Sequence, residues 1–399
     1  MSVYDRLVEY GSQLRGEWML DPDLTYLNHG TVGAPPRRVM EEYRRIQDHI
    51  ERQPAQFQLR ELADVEGLGE PSAPRMRVAA ASVAAHLGCS PDSIVFVDNA
   101  TTGVNAVLRS HPFAQGDEIL VTSLGYGGVD NAVRYVCDTT GARMRTVELP
   151  DFGAAPADYV TAIAAGVGDA TRVVVVDHIT SQSALVLPIV DIAAACHDKG
   201  VLVLVDGAHA PGAIDLDIES LGVDWYVANL HKWAFAPRSA GILWAAPERR
   251  AGLHPVTISW GYGNGFTAEF DLLGTRDPAP FLAAPFALDL HEKWGGAALR
   301  LHNHRTVWRA AHELAAAWGT EFLVPESMIG PMANVALPCV LGATKADADV
   351  LRRSLLEEDR IEVPVFGDGS RLSLRLSAQI YNDAGDFARL AEAVTRRCS

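Results

Sequence analysis

The chain predicts an α/β fold: a large, mostly parallel sheet joined to a smaller α+β domain towards the C-terminal end. Three observations carry that prediction. From Ser93 onward, apolar strand-like runs alternate with amphipathic segments of helix length, as a sheet with crossover helices demands. The runs RVVVV and VLVLV are continuous in β-branched and aliphatic residues rather than alternating with polar ones, which marks strands covered on both faces. They end on Asp177 and Asp206, each followed by a polar or small-residue turn. That is where open α/β sheets place ligands.

Composition narrows the class. The 399 residues suffice for two domains. Lys and Arg total 34 against 50 Asp and Glu, a formal charge of −16 that would repel a polyanion, so nucleic-acid binding is not expected. The first 20 residues lack an apolar core behind a basic start, and no apolar stretch is long enough to span a bilayer, which predicts a cytoplasmic protein without a membrane partner. Five cysteines, Cys89, Cys137, Cys196, Cys339 and Cys398, are scattered without metal-ligand spacing. They read as reduced thiols, and no metal is expected.

Taken in order, residues 1 to about 20 predict a helix, and DPDLTYLNHGTVGAPPRRV a short strand, a glycine turn and a proline-started helix. Residues 40 to 87 read as helical and charged. IVFVDNATTGVNAVL is strand, turn and helix, in which Asn99, Thr101 and Thr102 supply capping oxygens and Gly103 permits close backbone approach. The start of that helix at Ala100, with exposed N–H groups and two hydroxyls, suits a phosphate; any capped βα turn shares the pattern. EILVTSLGYGGVDNAV repeats the strand–helix unit with Tyr126 in its turn. RVVVVDHITSQSALVLPI then brings Asp177, His178, Ser181, Gln182 and Ser183 to a strand end.

VLVLVDGAHAPG closes on Asp206, and VDWYVANL runs into His231, Lys232 and Trp233. The chain has only four lysines, and Lys199, Lys293 and Lys345 suit a helix end and surface helices. Lys232 alone follows an apolar strand between a histidine and a tryptophan, where desolvation frees an amine for Schiff-base chemistry; a lysine snorkelling at a strand end is the plainer reading. A buried Asp upstream of such a lysine is what pyridoxal phosphate requires, because the carboxylate keeps the pyridine nitrogen protonated. His209, three residues after Asp206, either orients that carboxylate or faces the ring. Residues 285 to 317 predict one long amphipathic helix, and RLSLRLSAQIYN a strand with Arg375 between leucines. A guanidinium there is costly unless it grips an anion such as a substrate α-carboxylate.

DGAHAPG followed by HKW resembles the class V aminotransferase family of fold-type I pyridoxal-phosphate enzymes, especially its isopenicillin N epimerase-like branch, which includes lyases of cysteine conjugates in lincosamide-type antibiotic pathways. The resemblance implies an N-terminal arm over the site at 1–30, a large cofactor domain at 31–275 and a small domain at 276–399. It places Tyr126 on the pyridine face, His178 and Gln182 at the phenolic oxygen, and His231 towards the phosphate beside Ala100, Thr101 and Thr102. Asn28 and His29 lie near the substrate, as does the segment carrying Gln56, Phe57 and Arg60. Gly274–Thr275–Arg276–Asp277 crosses a homodimer interface so that Thr275 reaches the partner's phosphate, and the RxSxxxYN match makes Arg375 the carboxylate anchor. No cysteine between Ile361 and Arg375 supplies the nucleophile of the related desulfurases. The expected activity is Cα deprotonation of an α-amino acid by Lys232, with C–S β-elimination of a bulky S-cysteinyl conjugate ahead of epimerisation, transamination and decarboxylating oxidation.

Overall fold

The computed structural model describes residues 9–63 and 74–398. The chain divides into two compact units. One comprises residues 38–181 and 187–289, and the other collects 1–37, 182–186 and 290–399.

The larger unit is built on seven strands: β1 Ile94–Val97, β2 Glu118–Thr122, β3 Arg143–Val147, β4 Thr171–Asp177, β5 Leu202–Asp206, β6 Trp225–Asn229 and β7 Gly241–Ala245. They lie in the order β1-β7-β6-β5-β4-β2-β3. β3, β2, β4, β5 and β6 run parallel, while β7 is antiparallel to both its neighbours. The apolar runs read as strands are strands. β5, β6 and β7 are almost wholly buried, as their largely apolar sequence requires.

Helix α1 (Ala100–Ser110) follows β1 and α2 (Gly127–Thr140) follows β2. Gly103 is the contact point of α1 with the sheet, since a Cβ there would stand 2.6 Å from Val227 Cγ1. Only glycine lets helix and strand come so close. Val104, Val107 and Val133 join Val121, Val175 and Leu243 in the core between helices and sheet.

The smaller unit holds a three-stranded antiparallel sheet, in which β10 (Leu372–Ser377) lies between β8 (Met332–Ala336) and β9 (Val365–Gly367). Helices Ala297–Trp318, Lys345–Asp359 and Ala384–Arg396 accompany it. Thr25–Tyr26 pairs in parallel with Ile361–Glu362, tying the N-terminal segment to the C-terminal one. Trp18 is buried there, its Nε1 donating to Ala34 O at 2.9 Å and its ring against Trp294 and Tyr381.

Three expectations need correction. Within 1–20, residues 1–8 lie outside the described residues, and the remainder forms only a 3₁₀ turn at Ser12–Glu17 before Trp18 extends. The helical stretch at 40–87 is realised as Arg37–Arg52, short turns over 54–61 and Arg75–His86, with 64–73 outside the described residues. The single helix at 285–317 is two, Ala279–Lys293 and Ala297–Trp318. Gly295 and Gly296 separate them with φ of 127° and 51°, values that bulkier residues resist.

Candidate active site

Asp177 and Asp206 are neighbours in the parallel register of β4 and β5, so their side chains leave the same face. Asp206 is buried, and its Oδ1 accepts from Ala208 N at 2.9 Å. Desolvation pushes its carboxyl up, the Ala208 amide and Lys232 acting against that. This is a buried acid stabilised as an anion by a nearby cation, the donor set that a protonated ring nitrogen completes.

β6 ends at Asn229 and delivers Lys232 two residues after Leu230, whose amide bonds Ala240 O at 2.9 Å. Lys232 Nζ stands 3.1 Å from His209 Nε2. On the other side of that imidazole, Trp233 Nε1 donates to His209 Nδ1 at 3.4 Å. An indole N–H is a donor only, so Nδ1 accepts and the histidine proton sits on Nε2, directed at Lys232. Lys232 meets that proton as an acceptor only as the neutral amine, the form that Schiff-base chemistry uses. Asp206, His209 and Lys232, the three residues assigned to catalysis, are brought together in one unit.

The helix start is more committed than the sequence suggested. Asn99 Oδ1 accepts from Thr102 N at 2.9 Å and Thr102 Oγ1 at 3.3 Å, and the Ala100 amide donates to Asn229 Oδ1 at 2.8 Å. Ala100 is thus bound to the protein through its amide and Thr102 through both its amide and its hydroxyl, and the Thr101 amide and hydroxyl remain as phosphate donors. His231 Nδ1 lies 3.1 Å from Ala240 O, and burial lowers its pKa to about 4, so it serves as a neutral donor or acceptor. Tyr126, at the N-cap of α2, presents a half-exposed ring.

His178 is buried, its Nδ1 2.8 Å from Tyr226 OH and its amide bonded to Asp206 O at 2.8 Å. Burial drives its pKa down to about 4. Gln182 falls in the smaller unit, where its carbonyl accepts from Asn334 Nδ2 at 2.9 Å. Thr275 follows Gly274, at φ 107°, in a segment fixed by Tyr43 OH to Asp277 Oδ2 at 2.9 Å and Arg276 Nη1 to Asp98 Oδ1 at 3.2 Å. Phe57 is buried, and Arg60 Nη1 donates to Gln56 Oε1 at 2.8 Å.

In the smaller unit Arg375 sits mid-strand opposite Asn334, 3% exposed. Desolvation lowers its pKa to about 10, which leaves the cation intact at neutral pH. Its Nη2 donates to Thr31 Oγ1 at 2.7 Å; the Thr31 hydroxyl in turn donates to Asn28 Oδ1, and Asn28 Nδ2 donates to Glu362 Oε1 at 2.8 Å. Arg352 Nη2 closes the chain on the same carboxylate oxygen at 3.0 Å. Asn28 therefore orients the arginine through Thr31, a residue that the sequence did not single out. His29 lies in the interior of the smaller unit. It is fully buried, with Nδ1 3.0 Å from Tyr381 OH and Nε2 3.4 Å from Gln379 Nε2.

The comparisons with known proteins decide the family. The model of "Aminotransferase class-V" matches residues 36–387. The chain belongs to the class V aminotransferases. It is 32% identical to a probable chloroplastic L-cysteine desulfhydrase of Arabidopsis thaliana, over 94% of this chain and 83% of that one. It is also 32% identical to the isopenicillin N epimerase of Streptomyces clavuligerus, over 96% and 97%. Among solved structures, the cystine C–S lyase C-DES in complex with cysteine persulfide superposes with a TM-score of 0.77 at 22% identity, covering 93% of this chain and 97% of that one. This class V chain is accordingly a pyridoxal-phosphate enzyme with the fold-type I architecture. The residues present fit that cofactor: a buried acid for the ring nitrogen, an amine for the aldehyde, a histidine beside it, and a helix start with the Thr101 amide and hydroxyl for the phosphate.

Proposed function

We propose that this class V enzyme cleaves the Cβ–S bond of an S-substituted cysteine, a bulky S-cysteinyl conjugate of specialised metabolism, releasing a thiol and, after hydrolysis, pyruvate and ammonia. Pyridoxal phosphate, when bound, supplies the electron sink that makes the substrate Cα–H acidic. Lys232 holds the cofactor aldehyde before substrate arrives and then takes the Cα proton. His209 sets the orientation of that amine, and Asp206 faces the pyridine nitrogen. Arg375, aligned through Thr31 and Asn28, takes the α-carboxylate, which would satisfy a cation otherwise expensive to bury. Loss of the Cα proton to Lys232 and departure of the sulfur as thiolate balance without any oxidant.

The observation that carries this reading is the single amine aligned by a histidine of fixed tautomer, 3.1 Å away. Elimination needs one base on one face. The kinship with L-cysteine desulfhydrases supports it. The near full-length match to an isopenicillin N epimerase favours a second reading, epimerisation at Cα.

Incubation of the loaded enzyme with an S-alkyl cysteine in deuterated water separates the two readings. Thiol and pyruvate in equal amounts are expected. Deuterium at Cα with inversion and no cleavage overturns elimination and leaves the epimerase, and Lys232→Ala abolishes either reaction. We further propose a cytoplasmic homodimer whose sites share Thr275.

A further inference from the structure

The mechanism uses one of two carboxylates that the sheet sets side by side. Asp177 is paired in register with Asp206 and is 5% exposed. Its Oδ2 is buried with no hydrogen-bond partner among the described residues. Asp130, on α2, also bears on Asp177 and has its own Oδ1 buried and without a partner. The remaining charged group acting there is Lys232; the neighbouring Tyr226 hydroxyl is taken by His178.

Two ionised carboxylates leaving one face of adjacent strands, in a region closed to water, repel each other at low dielectric. A proton held by one of them removes the repulsion. Asp206 has an amide donor at 2.9 Å that favours its anion, whereas the orphaned oxygen of Asp177 has none. The asymmetry says which acid keeps the proton.

We propose that Asp177 is a positioning residue that holds one proton for the Asp177–Asp206 pair, so that Asp206 alone stays ionised to face the cofactor. This rests on the reading that Asp206 serves the pyridine nitrogen. Desolvation first, then Asp206 and Asp130, push the Asp177 carboxyl well above the ordinary range, in keeping with the geometry. Asp177 does not touch the reacting atoms; it acts through its neighbour.

The test uses the cofactor-loaded enzyme. Infrared spectroscopy of wild type at neutral pH should show the carbonyl stretch of a buried protonated carboxylic acid, shifted in deuterated water, absent in Asp177→Asn and retained in Asp130→Asn. Asparagine mimics the neutral acid, so Asp177→Asn should keep the cofactor absorbance band and kcat within about threefold, while Asp177→Val should lose roughly tenfold in kcat. A carboxyl raised in the folded state loses stability as pH rises through its folded pKa, so the wild-type unfolding midpoint should fall with pH more steeply than that of Asp177→Asn. No protonated-acid band in wild type, or a band removed by Asp130→Asn and not by Asp177→Asn, overturns the proposal even if a variant fails to fold. Asp206→Ala separately tests the cofactor reading, because retention of a normal cofactor band there would overturn that reading and leave the infrared result standing.

Discussion

Trp233 and Lys232 are adjacent in sequence, yet they address opposite nitrogens of one imidazole, that of His209. The indole takes Nδ1 and leaves Nε2 for the amine, so the tautomer is set by a residue with no chemistry of its own.

Replacing that indole removes a donor-only constraint on the ring. For Trp233→Phe, nitrogen NMR of labelled histidine should report a mixture of tautomers where wild type holds the proton on Nε2. The rate kcat should fall by about tenfold, the scale of one lost charge-orienting hydrogen bond. An unchanged spectrum would falsify the assignment.

The arginine relay makes a different kind of prediction. Thr31→Val keeps the shape and deletes the hydroxyl between Arg375 and Asn28. KM for the amino acid should rise roughly fivefold to tenfold with kcat nearly constant, as for a binding contact worth about 1 kcal/mol. If kcat falls and KM stays, the relay serves the chemistry rather than the carboxylate.

Acid sensitivity follows from His178 and His231, both lowered to about 4 by burial. A histidine kept neutral in the folded state gives stability that is present above its unfolded value, about 6.5, and is lost as pH falls towards the folded one. Denaturant unfolding between pH 7 and pH 4 should therefore show a steep loss, of about 3 kcal/mol for the more deeply buried His178 alone. His178→Gln should flatten that slope, and a slope equal to wild type would remove His178 from the account.

Sharing of sites between subunits has its own signature. Lys232→Ala and Thr275→Ala chains, each impaired alone, should regain activity when mixed and reassociated, because one of the two sites then holds both intact residues. Failure to recover in a demonstrated mixed dimer would place Thr275 within its own subunit's site or outside any.

What the sequence revealed depended on how local the signal was. The strands ending at Asp177, Asp206 and Asn229 announce themselves as apolar runs, and Lys232 stands out because lysine is scarce. Asn99 capping Thr102 spans three residues and is equally visible. Thr31 reaching Arg375, or Asn229 taking the Ala100 amide, joins positions separated by 344 and 129 residues and leaves no local mark. His29 is of the same kind: its glycine turn does not show that Tyr381 and Gln379 fold around the ring. The break at Gly295–Gly296 was written in the sequence, but amphipathic spacing on either side outweighed it.

The pairing of Thr25–Tyr26 with Ile361–Glu362 bears on how the polypeptide is made. During synthesis the first segment of the smaller unit leaves the ribosome more than three hundred residues before its strand partner exists. Trp18 must likewise wait for Trp294 and Tyr381. The nascent amino terminus therefore spends most of translation as sticky, unpaired chain, and a ribosome stalling after residue 289 would release a product with the cofactor lysine but without the residues that enclose Trp18.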